Sequence, residues 1–538
     1  MGGRQIVRDV TPSPARRRHE PIVGRNWRGR IAEPQPSTRA AFSADIEFLA
    51  RHGVSERVLI LATDLAASRG TAPSEELLAA GFDPRFYWSL LAADLGLEFI
   101  RDMDRAKLLP HAGLQESEAL GRAASALLTI GERVVLVIAP PPDEIPLLRR
   151  RLQEKPALAE RVRIAAPATI RAFVTAKRRN ALTRRAVDWL AAAMPPLSAR
   201  HLGRARGATG PTSLLAAVLG LALLAPLTTF QAMGLLCTLF FCNCSVWKLA
   251  AAFGRRPVLR LEPLASAKLP TYTVLVPLYR EAAIVPDLAR HLVALDYPAS
   301  KLQILLIVEA DDVQSRAAVA RHASARCFET IVVPAGGPRT TPKALTYALP
   351  FARGDMIVVF DAEDRPEPDQ LRKAAAAFHE RPELGCVQAR LTPDNQGSWL
   401  ARMFTIEYAA NFEVLLPALA HWGSPLPLGG TSNHFPRAVL EQVGGWDPYN
   451  VTEDADLGIR LARFGYRSAT ILSRTYEEAP VTFRQWLPQR RRWVKGWMRP
   501  VNQYCYSRRI NWLPDTQFKT SAPVATLSQQ AGSSSRAL

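Results

Sequence analysis

Cysteine is scarce in this chain: there are six residues in 538, and three of them (Cys237, Cys242 and Cys244) sit in one apolar run. No C-x-x-C pair or Cys/His zinc spacing occurs, which excludes a disulfide scaffold and suits a reduced, cytosolic setting. The phosphate-cradling G-x-x-x-x-G-K-[ST] loop is also missing, so the chain is no P-loop ATPase. Nothing has the form of a helix-turn-helix, zinc finger or RNA-recognition motif, and no nucleic-acid partner is expected. The Arg-rich N-terminus lacks the apolar stretch of a secretory signal. Charge is absent from Pro211 to Trp247, a run too long for one ~20-residue crossing and barely enough for two.

Basic residues flank that run: Arg200, Arg204 and Arg206 before it, Lys248, Arg255, Arg256 and Arg260 after it. The positive-inside rule puts both flanks in the cytoplasm and requires an even number of crossings. The reading is a transmembrane hairpin over 211–248 turning near Pro226 to Gln231, with one long tilted helix as the alternative.

The length predicts two or three domains. The formal charge of +19 is concentrated: residues 1–40 contribute +6, 171–206 +8 and 484–509 +8, which leaves the remainder slightly acidic. Such clustering fits an anionic membrane surface or phosphate groups. Residues 1–40 read as a disordered basic arm. Residues 41–175 show short amphipathic helices, then strands, and predict a small α+β domain. Residues 176–210 read as a basic linker, where Trp189 and Leu190 among arginines suit a short helix on the membrane surface. Residues 501–538 form a polar, Ser-rich tail without an apolar run able to cross a bilayer, and the chain is expected to be truncated or altered after about Trp512.

From residue 265 to 500 strands alternate with helices: Tyr272 to Val276, Gln303 to Val308, Thr330 to Val333, Met356 to Phe360 and Cys386 to Ala389. That order predicts an α/β fold with a mostly parallel sheet, whose ligand sits beyond the carboxyl ends of the strands. The stretch GDMIVVFDAED is central, because a buried apolar strand runs straight into Asp361, Glu363 and Asp364. Three carboxyl groups in four residues repel one another unless a cation lies between them, and hard oxygen ligands suit Mg²⁺ or Mn²⁺. The first strand runs into VPLYRE, ending at Glu281, and the second into Glu309, Asp311 and Asp312. Glu453 and Asp454 open an amphipathic helix, and Gln489 to Trp493 lie in a basic, Trp-rich helix. Alone, helix-start acids merely favour the macrodipole, and a Trp-Arg helix is an ordinary interface; the coincidence of all four clusters carries the argument.

In this order the clusters resemble the family 2 glycosyltransferases, specifically the membrane-bound cellulose synthase and hyaluronan synthase type, over about Pro270 to Trp497. The resemblance implies a nucleotide-sugar-binding, GT-A-like domain. It places Glu309, Asp311, Asp312, Lys343 and Asp361 against a UDP-sugar, and Asp361 and Glu363 in the metal-holding D-x-D slot, where Glu replaces the second Asp. It implies that Asp454 is the general base, beside Glu453. Gln489, Arg492 and Trp493 match the motif for acceptor and leaving diphosphate, and Gly430 and His434 fall in the acceptor pocket. The 41–175 region resembles the N-terminal domain of type II secretion and pilus ATPases, through LLAADLGLEFI and VVLVIAPPPDE, which brings cyclic di-GMP in as a regulatory ligand.

The chemistry agrees with this set. A departing diphosphate needs its growing charge neutralised, the acceptor hydroxyl must lose a proton to one carboxylate of raised pKa, and one base with direct displacement inverts the anomeric centre. The expectation is therefore an inverting transferase acting from a UDP-sugar on a polysaccharide, held by lipid in the bacterial inner membrane with its catalytic domain cytoplasmic. A separate membrane channel subunit is an expected partner. The alternatives are a non-catalytic nucleotide-sensing receptor and an inactive truncated synthase.

Overall fold

The structure is a computed structural model that describes residues 42–104, 106–109, 120–121, 124–200, 209–254, 261–323, 325 and 327–506. The expected basic arm, the tail beyond Tyr506 and the flanking Arg204, Arg206, Arg255, Arg256 and Arg260 lie outside these residues.

In the N-terminal unit four helices, α1 (Glu47–Arg51), α2 (Glu56–Arg69), α3 (Pro73–Ala80) and α4 (Pro84–Asp94), lead into a five-stranded sheet. Two of them start at a proline, where the missing N–H costs nothing, and Asp83 caps α4 by accepting from Phe86 N at 2.9 Å. The strands are β1 (Glu98–Ile100), β2 (Lys107–Leu108), β3 (Ser125–Ile130), β4 (Arg133–Ile138) and β5 (Val162–Ala165), in the order β1-β5-β4-β3-β2. The helix α5 (Ile145–Glu154) makes the crossover between parallel β4 and β5.

The next helix, α6 (Pro167–Ala193), buries Ile170, Phe173 and Val174 early and Leu182, Ala186, Leu190 and Ala191 late. Residues 176–193, expected as linker and membrane-surface helix, are the second half of this one helix, and their apolar stripe is buried in protein. Two helices follow, α7 (Thr209–Leu224) and α8 (Pro226–Phe253), broken at Ala225 one residue before the expected turn. At 1.5 Å per residue α7 is ~24 Å long, short of a ~30 Å hydrocarbon core, whereas α8 at ~42 Å exceeds it. Among the described residues α8 is the one helix long and apolar enough to cross a membrane, and its side chains are almost wholly exposed.

The C-terminal half holds an eight-stranded sheet of β6 (Tyr272–Leu278), β7 (Leu302–Glu309), β8 (Phe328–Val333), β9 (Met356–Val359), β10 (Arg365–Pro366), β11 (Leu384–Pro393), β12 (Asn433–Pro436) and β13 (Arg467–Glu477). Its order is β10-β13-β11-β12-β9-β6-β7-β8. The half from β8 to β9 is parallel, as expected. The other half is mixed, because β12 runs antiparallel to both neighbours and β10 antiparallel to β13. β12 is the short NHFP, and β13 alternates buried and open positions, so neither has the continuous apolar signature of a doubly covered strand.

The helices of this half are α9 (Val285–Val293), α10 (Val313–His322), α11 (Thr341–Ala348), α12 (Gln370–Glu380), α13 (Trp399–Ala409), α14 (Leu416–His421), α15 (Arg437–Gln442), α16 (Glu453–Arg463) and α17 (Phe483–Tyr506). A π-helical segment, Ala410–Leu415, joins α13 to α14. Within α16, Asp456 and Arg460 form a fully buried ion pair, and Arg460 Nη1 also donates to Val443 O (3.0 Å) and Gly445 O (2.8 Å). Removing one partner of a buried ion pair costs about 3–5 kcal/mol. Arg460→Met should therefore lower the C-terminal half's melting temperature sharply, and Asp456→Leu added to it should recover much of the loss; an unshifted melt for Arg460→Met would contradict this.

Candidate active site

The first strand end turns tightly: Arg280 adopts a left-handed φ of 61°, and its N–H donates to Asp312 Oδ2 at 2.5 Å. Asp312 Oδ1 accepts from Ser315 N at 3.1 Å, which caps α10. Both oxygens of Asp312 thus serve backbone amides, which hold its pKa low against the penalty of burial. It braces the turn, and Asp311, half-exposed and paired with Arg339 at 2.8 Å, is the acid on the open side.

Lys343 is fully buried, its Nζ lying 3.4 Å from Glu309 Oε1 and donating to Pro334 O (3.2 Å) and Gly336 O (3.0 Å). Lys343 and Glu309, which the resemblance sets against the donor, form a buried pair that anchors the loop after β8. Burial raises the Glu309 pKa, with Lys343 offsetting it.

At the end of β9, Asp364 is turned inward, accepting from Asp361 N at 2.7 Å and from the Thr431 hydroxyl. That leaves Asp361 and the exposed Glu363 facing outward. Burial, and then the charges of Glu363, Glu281 and Asp454, pushes Asp361 up to about 7. Glu363 is raised by burial and Glu478, with Arg365 opposing. Glu281, raised by burial, faces both Glu363 and Asp312.

Across the site Glu453 and Asp454 occupy the first turn of α16. Burial lifts Asp454 to about 6, and the Ala455 N–H at the helix start limits the rise. Burial, Asp454 and Asp361 together hold Glu453 well above its usual range. A Cβ on Gly430 would lie 3.7 Å from Asp454 Oδ2, so the backbone of the Gly429-Gly430 turn borders the acid directly. His434 is elsewhere. On β12 it points into the core, bonded to the Tyr272 hydroxyl (2.7 Å) and 3.3 Å from Gln370 Oε1, and burial drops its pKa to about 3. The residue that the resemblance sets in the acceptor pocket thus lies in the core among Tyr272, Phe360 and Gln370.

Helix α17 closes the site. Gln489 Oε1 is buried without a hydrogen-bond partner, Arg492 is exposed, and Trp493 lies by Phe404 and Tyr408, with centroids at 6.2 and 6.5 Å. Three residues absent from the sequence expectation matter here. Arg490 pairs with Glu407 and lies over Trp493 (4.6 Å), Phe404 (5.2 Å) and Trp486 (5.5 Å), clamping α17 to α13. Glu477, at the end of β13, is pushed up to about 8 by burial, Glu363 and Asp361, with the Tyr408 hydroxyl opposing; its signal was the acidic TYEEAP directly before the basic helix. Gly496 lets α17 touch Thr452, whose Oγ1 and Cβ would stand 2.6 and 2.9 Å from any Cβ placed there.

The profile of the family described as "Glycosyltransferase like family 2" matches residues 270–496. The probable glycosyltransferase YdaM of Bacillus subtilis is 26% identical over 241 residues, covering 44% of this chain and 56% of its own length. The beta-monoglucosyldiacylglycerol synthase of Trichormus variabilis is 28% identical over 236 residues, covering 42% and 49%. The chain thus spans about half the length of these curated relatives. The mannosyltransferase PcManGT from Pyrobaculum calidifontis, solved in complex with GDP-Man and Mn²⁺, aligns at 22% identity and a TM-score of 0.41, covering 56% of this chain and 76% of that one.

Because Thr452 makes no capping bond and its hydroxyl is buried without a partner, Gly496→Ala should be damaging chiefly through contact with this side chain. The expected result is a melting temperature lowered by several degrees, partly restored by Thr452→Ala; no restoration would place the contact elsewhere. The matched span begins just before β6 and ends inside α17, taking in the acids and the helix that covers them. Residues 270–496, a mixed α/β domain, match the glycosyltransferase family 2-like profile.

Proposed function

We propose that the chain is a metal-dependent, inverting glycosyltransferase that passes a sugar from a UDP-sugar to a growing polysaccharide at the cytoplasmic face of a bacterial inner membrane. The observation that carries this reading is Asp454: an acid at a helix start, its pKa lifted to about 6, bordered by glycine backbone and set across from Asp361. A carboxylate so tuned can take the acceptor hydroxyl's proton near neutral pH and is lost as a base below about pH 6. Beside it Glu453 is held well above its usual range by burial and by Asp454.

Among the described residues no three His, Cys, Asp or Glu side chains are close enough to hold a metal by themselves. Asp361 and Glu363 nevertheless fit one, since each is held up by like charge that a cation would relieve, and diphosphate oxygens would complete the ligand set. Bound there, Mg²⁺ or Mn²⁺ supplies charge to the departing diphosphate. Arg492 and Gln489 reach from α17 towards that diphosphate and the acceptor, and Asp311 serves the nucleoside. The apolar, exposed α8 supports attachment to a bilayer.

A lipid acceptor is the second reading. It is favoured by the relative named a beta-monoglucosyldiacylglycerol synthase, together with an α8 that would hold the domain at a bilayer. The N-terminal unit, packed through α6 on the catalytic half, is read as regulatory, with cyclic di-GMP as its ligand.

Membranes carrying the protein, given labelled UDP-glucose, UDP-N-acetylglucosamine or UDP-galactose with oligosaccharide or diacylglycerol acceptors, test all of this. Transfer should require Mn²⁺ or Mg²⁺ and rise with cyclic di-GMP. Asp454→Asn should cut the rate by roughly 10²–10⁴-fold while UDP binding holds. Folded protein inert with every donor would favour the non-catalytic receptor, full activity in Asp454→Asn would remove the base, and indifference to cyclic di-GMP would remove the regulatory ligand.

A further inference from the structure

The catalytic acids are delivered by a short turn, residues 447–452, and three contacts from outside the catalytic half meet on or just before it. Asp447 is fully buried, and its Oδ2 accepts from Ala199 N at 2.6 Å. Its Oδ1 accepts from Ser198 Oγ (3.3 Å) and from Tyr449 N (3.1 Å) in its own turn. Arg200 lies over the Tyr449 ring at 5.2 Å. Just upstream, the end of α6 presses on Gly444, where a Cβ would meet Leu190 Cδ1 at 2.7 Å and Trp189 Cζ3 at 2.9 Å.

The turn is otherwise bonded forward to the site. Asn450 N donates to Asp447 O (3.1 Å), Thr452 N to Asn450 Oδ1 (3.3 Å), and Asp456 N to Thr452 O (3.2 Å), which opens α16. Thr340 Oγ1 holds Pro448 O at 3.0 Å, and Thr452 meets Gly496 of α17. A series of hydrogen bonds therefore runs from Ala199, in the segment leaving the N-terminal unit, to Thr452 and Asp456, the residues that flank Glu453 and Asp454. We infer that Asp447 is a positioning residue: by gripping Ser198 and Ala199 it fixes the turn that places Asp454, so that docking of the N-terminal unit sets turnover without touching the donor. This rests on Asp454 being the base.

The donor side of the joint can be cut without altering the catalytic half, because Ala199→Pro removes the N–H that Asp447 accepts. Asp447→Asn, nearly the same size, cuts it from the other side. In the full chain, hydrogen–deuterium exchange of residues 447–456 should rise in both variants. In the transfer assay kcat should fall roughly 10- to 100-fold, the scale of a ~1 Å misplacement, with the donor KM within about twofold and no further loss in the double variant. Unchanged exchange in 447–456, a kcat that holds while exchange rises, or losses that multiply in the double variant would each overturn the inference. Were the parent to transfer no sugar, the reading of Asp454 would fail, and exchange alone would decide whether the joint exists.

Discussion

The burial of carboxylates at the carboxyl edge of one sheet, with the repulsion it sharpens, is the constraint on which the C-terminal half depends. On top of burial, Glu363 raises the pKa of Glu281; Glu363, Glu281 and Asp454 raise that of Asp361; Glu363 and Asp361 raise that of Glu477; and Asp454 and Asp361 raise that of Glu453. Burying charge without a partner is costly, so the fold meets it locally. Asp364 is turned away to hold the β9 loop, Arg365 faces Glu363, and the start of α16 offers its N–H to Asp454. What remains unbalanced is a pair of outward carboxylates on one wall and Asp454 on the other, a negative cluster that a cation would relieve.

Two close approaches keep the walls in place. Gly496 lets α17 lie on Thr452, and Arg490, stacked among Trp486, Trp493 and Phe404, fixes the other side of that helix to α13. From below, the end of α6 and the segment after it grip the turn that precedes Glu453. The helix that leaves the N-terminal unit is thus part of the catalytic scaffold, and its arginines do not make it a free linker.

The parallel half of the sheet was legible because β6, β7 and β9 are unbroken apolar runs ending in acids, the signature of strands covered on both faces. β12 and β13 were not, since one is four residues long and the other alternates. The acid cluster was legible where residue type is distinctive, at Asp361, Glu363, Glu453 and Asp454, whose charges the structure brings within reach of one another. The site was not legible where direction decides, because sequence spacing cannot say that Asp312 caps a helix, that Lys343 folds under Glu309, or that His434 faces the core. Arg490 and Gly496 were missed for a related reason: within a basic helix only the neighbouring helix shows which arginine is clamped and which glycine is needed.

The most direct test is the melting temperature of the intact protein against pH, with and without Mn²⁺ and UDP. Asp361, at about 7, and Glu477, at about 8, sit above their unfolded values near 4, so the folded state keeps protons that the unfolded chain has released. Their stabilising contribution is complete below about pH 4 and is lost as pH rises through 7 to 8. The account predicts a melting temperature that falls between pH 5 and 8 in the free protein and a fall largely abolished by Mn²⁺ with UDP. A free protein whose melting temperature is level or rises across that window, or one indifferent to Mn²⁺ with UDP, would contradict it.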